Sequence, residues 1–212
     1  MSAPYEDVVF EPAPADRPTV YVNMVATIDG KTVSGERDED VMDLGSKVDH
    51  RAMANLDRAG DAVLIGARTL RASPRSWRPR ARVTLVVTAS GDLPVDARYL
   101  EGESYVITNG DFKTALPKLP LGGWPSVLRR LRGMGIERLY VLGGSELNGQ
   151  LLGEDLVDEL FLTVAPKVRL GTDLPTYAGG EPLPRGGLLD FQLIESHVVE
   201  DEAFLRYRRR RE

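Results

Sequence analysis

The chain has no cysteine and only two histidines in 212 residues. The first absence excludes a disulfide framework, a thiolate metal site and a cysteine nucleophile. The second leaves little for a histidine metal site, since neither His50 nor His197 stands in an H-E-x-x-H pattern. A serine–histidine triad has few possible members for the same reason, and no G-x-S-x-G turn is present to hold its serine. No apolar run approaches the length that spans a bilayer, and the opening MSAPYEDVVFEPAPADRP lacks the basic-then-apolar order of a signal peptide. A soluble, unexported, cytoplasmic protein is expected. No internal repeat and no G-x-G-x-x-G fingerprint occur, so a standard Rossmann domain is not supported. The formal net charge of −5 sets up no general attraction to nucleic acid. Arg208 to Arg211, without an interleaved aromatic platform, read as a solvated strand end.

What is present suits one well-cored domain: 42% of the residues are hydrophobic and no composition break divides them. Prolines at 4, 12, 14 and 18 forbid regular helix, so residues 1–18 read as an extended lead-in on the surface, with the domain proper over 19–212. Thr19 to Ala26 reads as a strand with Val20, Val22, Met24 and Ala26 on one face and Asn23 on the other, followed by a tight turn at Asp29-Gly30. Asn23 there is either solvent-facing or a ligand contact. The acidic stretch Glu36 to Asp43 reads as a loop. Ser46 and Asp49 resemble a capping box opening a helix that carries Val48, Ala52, Leu56 and Ala59 on one face, Arg58 in its last turn and a left-handed Gly60 at its end. Buried strands follow at Ala62 to Gly66, Val83 to Thr88 and Ser104 to Thr108, each ending in small or polar residues. Ser126 to Met134 reads as a helix, Glu137 to Leu142 as a strand and Asp158 to Ala165 as another. Leu188 to Val199 and Ala203 to Arg210 form a hairpin. The alternation implies an α/β fold: a mixed sheet with helices on both faces.

One junction stands out, LYVLGGSELNGQLL over 139–152. An apolar strand stops on Gly143 and Gly144, and Ser145 opens a segment with Leu147, Leu151 and Leu152 at helical spacing. Such a strand, bare backbone and helix start suits an anion, because glycines admit close approach and the helix N-terminus favours negative charge. An ordinary βα turn capped by Ser145 would read the same.

Three stretches together, VNMVATIDGKTVSG (22–35), LDRAGDAVLIGARTLRASP (56–74) and VLGGSELNGQLLGEDLVDELFLTVAPKVRLG (141–171), resemble a known family. They look like the pyrimidine reductase of riboflavin biosynthesis, stand-alone or as the C-terminal domain of the bifunctional deaminase-reductase. The resemblance implies a dihydrofolate-reductase-like fold, a homodimer, NADPH as cofactor, and hydride transfer to C1′ of a ribosylaminopyrimidine phosphate. By the same resemblance Val25 lies against the nicotinamide, Thr69 and Ser73 near the cofactor's ribose and phosphates, and Thr88 and Ser90 near its adenosine half. Gly143, Gly144, Ser145, Glu146 and Leu147 wrap the pyrophosphate, and Thr27 and Gly66 belong to the same cofactor site. Arg58 matches an arginine that contacts substrate, although a helix-end cation would look the same. Asn23 or the Thr27-Ile28-Asp29 edge would meet the pyrimidine or sugar. Asp29 and Lys167 are the candidate proton donors, each also readable as an ordinary turn or loop residue.

Two positions depart from the family. Leu142 stands where a glutamate is usual, which removes a carboxylate for the pyrimidine's amino groups, and Ser73-Pro74 lacks the usual aspartates. The residue before Ser90 is Ala89, so no arginine aimed at a 2′-phosphate is evident and selectivity over NADH is expected to be modest. The competing readings are a same-fold reductase of a pterin such as dihydrofolate, a non-catalytic NADPH-binding module, and an interaction domain with neither ligand.

Overall fold

The computed structural model describes residues 4–36, 39, 42–73, 77–94 and 96–211. In chain order the elements are β1 (Thr19–Thr27), α1 (Lys47–Ala59), β2 (Ala62–Gly66), α2 (Ala67–Ala72), β3 (Val83–Val87), β4 (Glu103–Thr108), β5 (Lys118–Pro120), α3 (Trp124–Gly133), β6 (Arg138–Val141), α4 (Ser145–Gly153), β7 (Glu159–Ala165), β8 (Phe191–Val199) and β9 (Glu202–Arg209). They form one sheet in the order β5-β4-β3-β2-β6-β1-β7-β9-β8. Every pairing from β5 to β7 is parallel, and β9 runs antiparallel to both β7 and β8.

Helices cover both faces, as the run of buried strands requires. Val20, Val22, Leu64, Leu85 and Val141 pack with Leu128 of α3 and Leu151 of α4. On the other face Tyr21, Val63, Tyr140 and Phe161 pack with Leu56 of α1 and Leu70 of α2. Two polar groups are built into that second layer: the Tyr21 hydroxyl donates to the Leu56 carbonyl at 2.8 Å, and Tyr99 donates to the Val63 and Leu85 carbonyls at 2.8 and 2.9 Å. Buried phenols so paired avoid the desolvation cost of an unmade bond.

Residues 4–18 pack on the domain: Tyr5 is 3% exposed and its ring meets Phe161 edge-on at 4.8 Å, while Phe10 lies 4.5 Å from Tyr21. Other expectations are revised. The terminal arginines are paired rather than simply solvated, Arg209 with Asp155 at 2.7 Å and Arg211 with Asp158 at 2.6 Å. Gly60 is extended, at φ −91°, not left-handed; a Cβ there would sit 2.7 Å from the Tyr21 hydroxyl, so close approach explains the glycine. The polar stretch after β2 is the helix α2. Of the acidic loop, Arg37, Asp38, Asp40 and Val41 lie outside the described residues, as does Pro74.

Candidate active site

A cleft of about 1160 Å³ opens at the carboxyl ends of the parallel strands. This is the edge where ligands enter open α/β sheets, because strand-to-helix loops converge there and expose backbone groups. Its lining follows the sheet order: Thr88 and Ser90 after β3, Gly66 at the end of β2, Gly144 to Leu147 after β6, and Asn23 and Val25 on β1. Thr69 and Ser73, on and just after α2, complete the set. Residues 172–176 with Gly179 and Gly180 close the far wall, held to α4 by the Gly179 amide on the Ser145 carbonyl at 2.9 Å and by Asn148 Nδ2 on the Tyr177 carbonyl at 2.8 Å.

The double glycine is a crowded crossing rather than a plain cap. Gly143 has φ +77°, and a Cβ on it would stand 2.9 Å from Met24 Sδ; one on Gly144 would stand 2.8 Å from Thr69 Oγ1. The Gly143-Gly144 peptide is cis. The Gly66 amide donates to the Gly143 carbonyl at 2.7 Å, which ties β2 to the turn. Ser145 does not cap α4: the N-cap is Gly144, without a side-chain hydrogen bond. Bare backbone therefore faces the cleft at a helix start, an arrangement that fits a phosphate-bearing cofactor. Glu146 of α4 pairs with Arg68 of α2 at 3.0 Å, and Arg68 and Arg71 both border the cleft.

Gly143, buried within the turn, and four other sequence candidates lie apart from this lining. Arg58 is exposed at the end of α1, where its guanidinium donates to the Ala54 carbonyl and Asn55 Oδ1. Lys167 Nζ donates to the Asp43 and Leu44 carbonyls, the latter at 2.7 Å. Asp29 receives the Thr27 hydroxyl at 2.6 Å and the Arg169 and Leu170 amides at 3.0 and 2.8 Å. These bonds, the hydroxyl first, hold the Asp29 carboxyl down to about 2. Thr27 is buried beneath that turn. Thr27, Asp29 and Lys167 brace loops around the end of β1, and Arg58 stays on its own helix.

The profile of the RibD C-terminal domain family matches residues 18–205. The chain belongs to that family. It is 28% identical over 218 residues to the 2,5-diamino-6-ribosylamino-4(3H)-pyrimidinone 5′-phosphate reductase of Methanothermobacter thermautotrophicus, covering 90% of this chain and 98% of that one. RibD from Acinetobacter baumannii superposes with a TM-score of 0.80 at 18% identity; the match spans 93% of this chain and 59% of RibD. Dihydrofolate reductase from Enterococcus faecalis, solved with NADP(H), superposes with a TM-score of 0.54 at 12% identity over 90% of this chain and 96% of its own. The expected dihydrofolate-reductase-like fold is thus observed, in an oxidoreductase family.

In this RibD C-terminal domain one acid differs from what its spacing predicts. The spacing makes Asp49 the second half of a capping box, yet that partner is Glu202 of β9, whose carboxylate accepts the Ser46 amide at 2.9 Å and the Ser46 hydroxyl at 2.5 Å. Asp49 is 6% exposed, borders the cleft, and bonds instead to the Thr163 side chain on β7. Burial, followed by the nearby Glu202 charge, pushes its carboxyl up. Its spacing held the clue, since positions 49, 52 and 56 share one helical stripe and Ala52 and Leu56 are apolar. Asn23 borders the same corner and donates to the buried Tyr140 hydroxyl at 3.1 Å.

Proposed function

We propose that this chain is an NADPH-dependent reductase of a ribosylaminopyrimidinone 5′-phosphate in riboflavin biosynthesis, working as a cytoplasmic homodimer. The observation that carries the reading is the bare Gly143-Gly144 turn at the carboxyl edge of the sheet, beside a cleft of about 1160 Å³. That volume exceeds the roughly 300–1,000 Å³ usual for the pocket of one small ligand, so cofactor and substrate can share it. The name of the Methanothermobacter relative supplies the substrate class.

When bound, the reduced nicotinamide supplies hydride to C1′ of the ribose, and the sugar opens to a ribitylamino product. The protein's part is to bind, orient and exclude water. Val25 would flank the nicotinamide. Gly66, Thr69, Ser73 and Gly143 to Leu147 would hold the ribose and pyrophosphate, and Thr88 and Ser90 the adenosine half, while Thr27 supports the β1 end. Arg68, paired with Glu146 at 3.0 Å, and Arg71, paired with Asp92 at 3.5 Å, border the cleft and would add positive charge near a phosphorylated ribose. Asn23, fixed by Tyr140, would meet the substrate's polar edge. Asp29 and Lys167 act as braces of that end rather than as reacting groups.

The test is loss of NADPH absorbance with the diaminated and deaminated pyrimidine phosphates, and with dihydrofolate, offered in parallel. Turnover of a pyrimidine phosphate is expected. NADPH at a hundred times its Kd is expected to stabilise the fold by about 2.7 kcal/mol, raising Tm by roughly 5–10 °C for a chain of this size. Stabilisation without turnover would keep the cofactor site and remove the substrate; neither would remove both.

A further inference from the structure

The cleft has an order along the sheet. From Thr88 past Gly66 and the Gly143-Gly144 turn to Val25, its lining crosses β3, β2, β6 and β1 in turn, and β7 comes next. In the β1–β7 register Val25 pairs with Thr163, and Thr163 is the residue that holds Asp49. A dinucleotide laid along this path with its pyrophosphate at the glycine turn therefore has its reactive end at β1. Asp49, held by Thr163, lines the cleft wall at that end.

We propose that Asp49 is the general acid of the reaction, protonating the ribose ring oxygen O4′ as the sugar opens. The assignment rests on the ribosylaminopyrimidinone reading above. Hydride arrival at C1′ requires the C1′–O4′ bond to break, with its electron pair staying on oxygen. An alkoxide is a poor leaving group without a proton, and a positioned acid supplies one in the same step. O4′ becomes a hydroxyl, Asp49 is left as carboxylate, and water entering the cleft returns its proton. One hydride and one solvent proton are consumed per turnover.

Among the described acids that border the cleft, Glu39, Glu146 and Asp173 are exposed, and Asp49 alone is buried. An acid screened from solvent on the cleft wall is the one the fold can position against the ring oxygen. Asp29 is held ionised by its turn, and Lys167 Nζ is engaged with two carbonyls. The groups around Asp49 favour its neutral form on balance. Glu202 faces it from β9 and raises its pKa, His50 on its own helix lowers it, and the Tyr140 phenol of β6 and the Tyr5 phenol of the lead-in also feel its charge. The Thr163 hydroxyl favours the ionised form but is outweighed by burial.

The experiment compares wild type with Asp49→Asn and Asp49→Glu at saturating NADPH on the pyrimidinone phosphate. Asp49→Asn is expected to lower kcat by about 100-fold or more, with KM and NADPH Kd within a few-fold, and to abolish the alkaline limb of the kcat–pH profile. Asp49→Glu should restore part of kcat together with that limb. Thr163→Val, which removes the side chain that aims the acid, should lower kcat and displace the limb without loss of NADPH binding. A 13C carboxyl titration of the cofactor-free protein, assigned by the missing resonance in Asp49→Asn, should place Asp49 above the usual carboxylate range. An Asp49→Asn enzyme that keeps kcat within a few-fold, an alkaline limb unchanged by the substitution, or an Asp49 that titrates like an exposed carboxyl would each overturn the assignment while leaving the substrate reading intact. Failure of the wild type to turn over any ribosylaminopyrimidinone phosphate would remove both.

Discussion

Tyr5 shows how one buried atom can separate two contributions of a side chain. Its ring fills a gap against Phe161, while its hydroxyl is buried with no hydrogen-bond partner among the described residues. Burial pushes that phenol well above its ordinary range. Tyr5→Phe should therefore be neutral or stabilising by about 1 kcal/mol, and Tyr5→Ala should cost about 3 kcal/mol; urea unfolding of both variants checks the pair. Gly143 is the contrasting case, where any side chain is excess. Gly143→Ala has to hold a left-handed φ of +77° with its methyl 2.9 Å from Met24 Sδ. The left-handed strain alone is about 1–2 kcal/mol, so the variant is expected to lose at least that much stability, read by urea unfolding. At this scale the sequence announced Gly143 and Gly144 by their place between strand and helix. It concealed Asp49, because a capping acid and an active-site acid look alike until β9 brings Glu202 to the same serine.

Among the elements, α4 depends on a contact from residues far along the chain. A Cβ on Gly149 would lie 1.5 Å from the Gly179 carbonyl oxygen, a backbone atom with no rotamer to yield. Gly149→Ala should push residues 172–180 off α4 and open one wall of the cleft, at a cost of about 1–3 kcal/mol. Faster hydrogen exchange at the Gly179 amide, which otherwise bonds to Ser145, would report it; unchanged exchange would count against the strap. The long buried strands and α1 were readable from periodicity, and Ser46 marked the start of α1. The short elements were not. α2 has six residues and no side-chain cap, and β5 has three with Pro120 at its end, so neither carries enough pattern to be distinguished from loop.

For the whole molecule, acid should act through the cluster that ties the lead-in to the C-terminus. Asp158 accepts from Arg17 at 2.6 and 2.7 Å, from the Val20 amide at 2.8 Å and from Arg211 at 2.6 Å. Burial alone would raise its pKa, but these bonds, Arg17 foremost, leave it below the ordinary value. A depressed native pKa contributes stability that is present above the unfolded value, near 3.9, and is lost as pH falls through the native one. Asp49 and Asp57, both raised by burial, act in the opposite sense: their contribution is present at low pH and is lost as pH rises through their native values. Arg17→Met should cost about 1–3 kcal/mol near neutrality and flatten the acid limb below pH 4, measured as Tm against pH. A limb of unchanged slope would place the acid sensitivity elsewhere.

The sequence by itself determined the fold class and the place of the glycine turn, because hydrophobic period and glycine between strand and helix are local properties that survive without neighbours. It also carried the family, through three ordered stretches that no single motif would have identified. Only the tertiary structure decided which polar residues meet. Arg58, Asp29 and Lys167 sit in stretches that resemble the family, yet the fold turns them to a helix end and two loops. Asp49 was read as a helix cap, and the fold turns it into the cleft, because β7 and β9, more than a hundred residues later, supply Thr163 to hold its carboxyl and Glu202 to take its place on the cap. Side-chain direction depends on partners distant in the chain, and sequence spacing does not encode them.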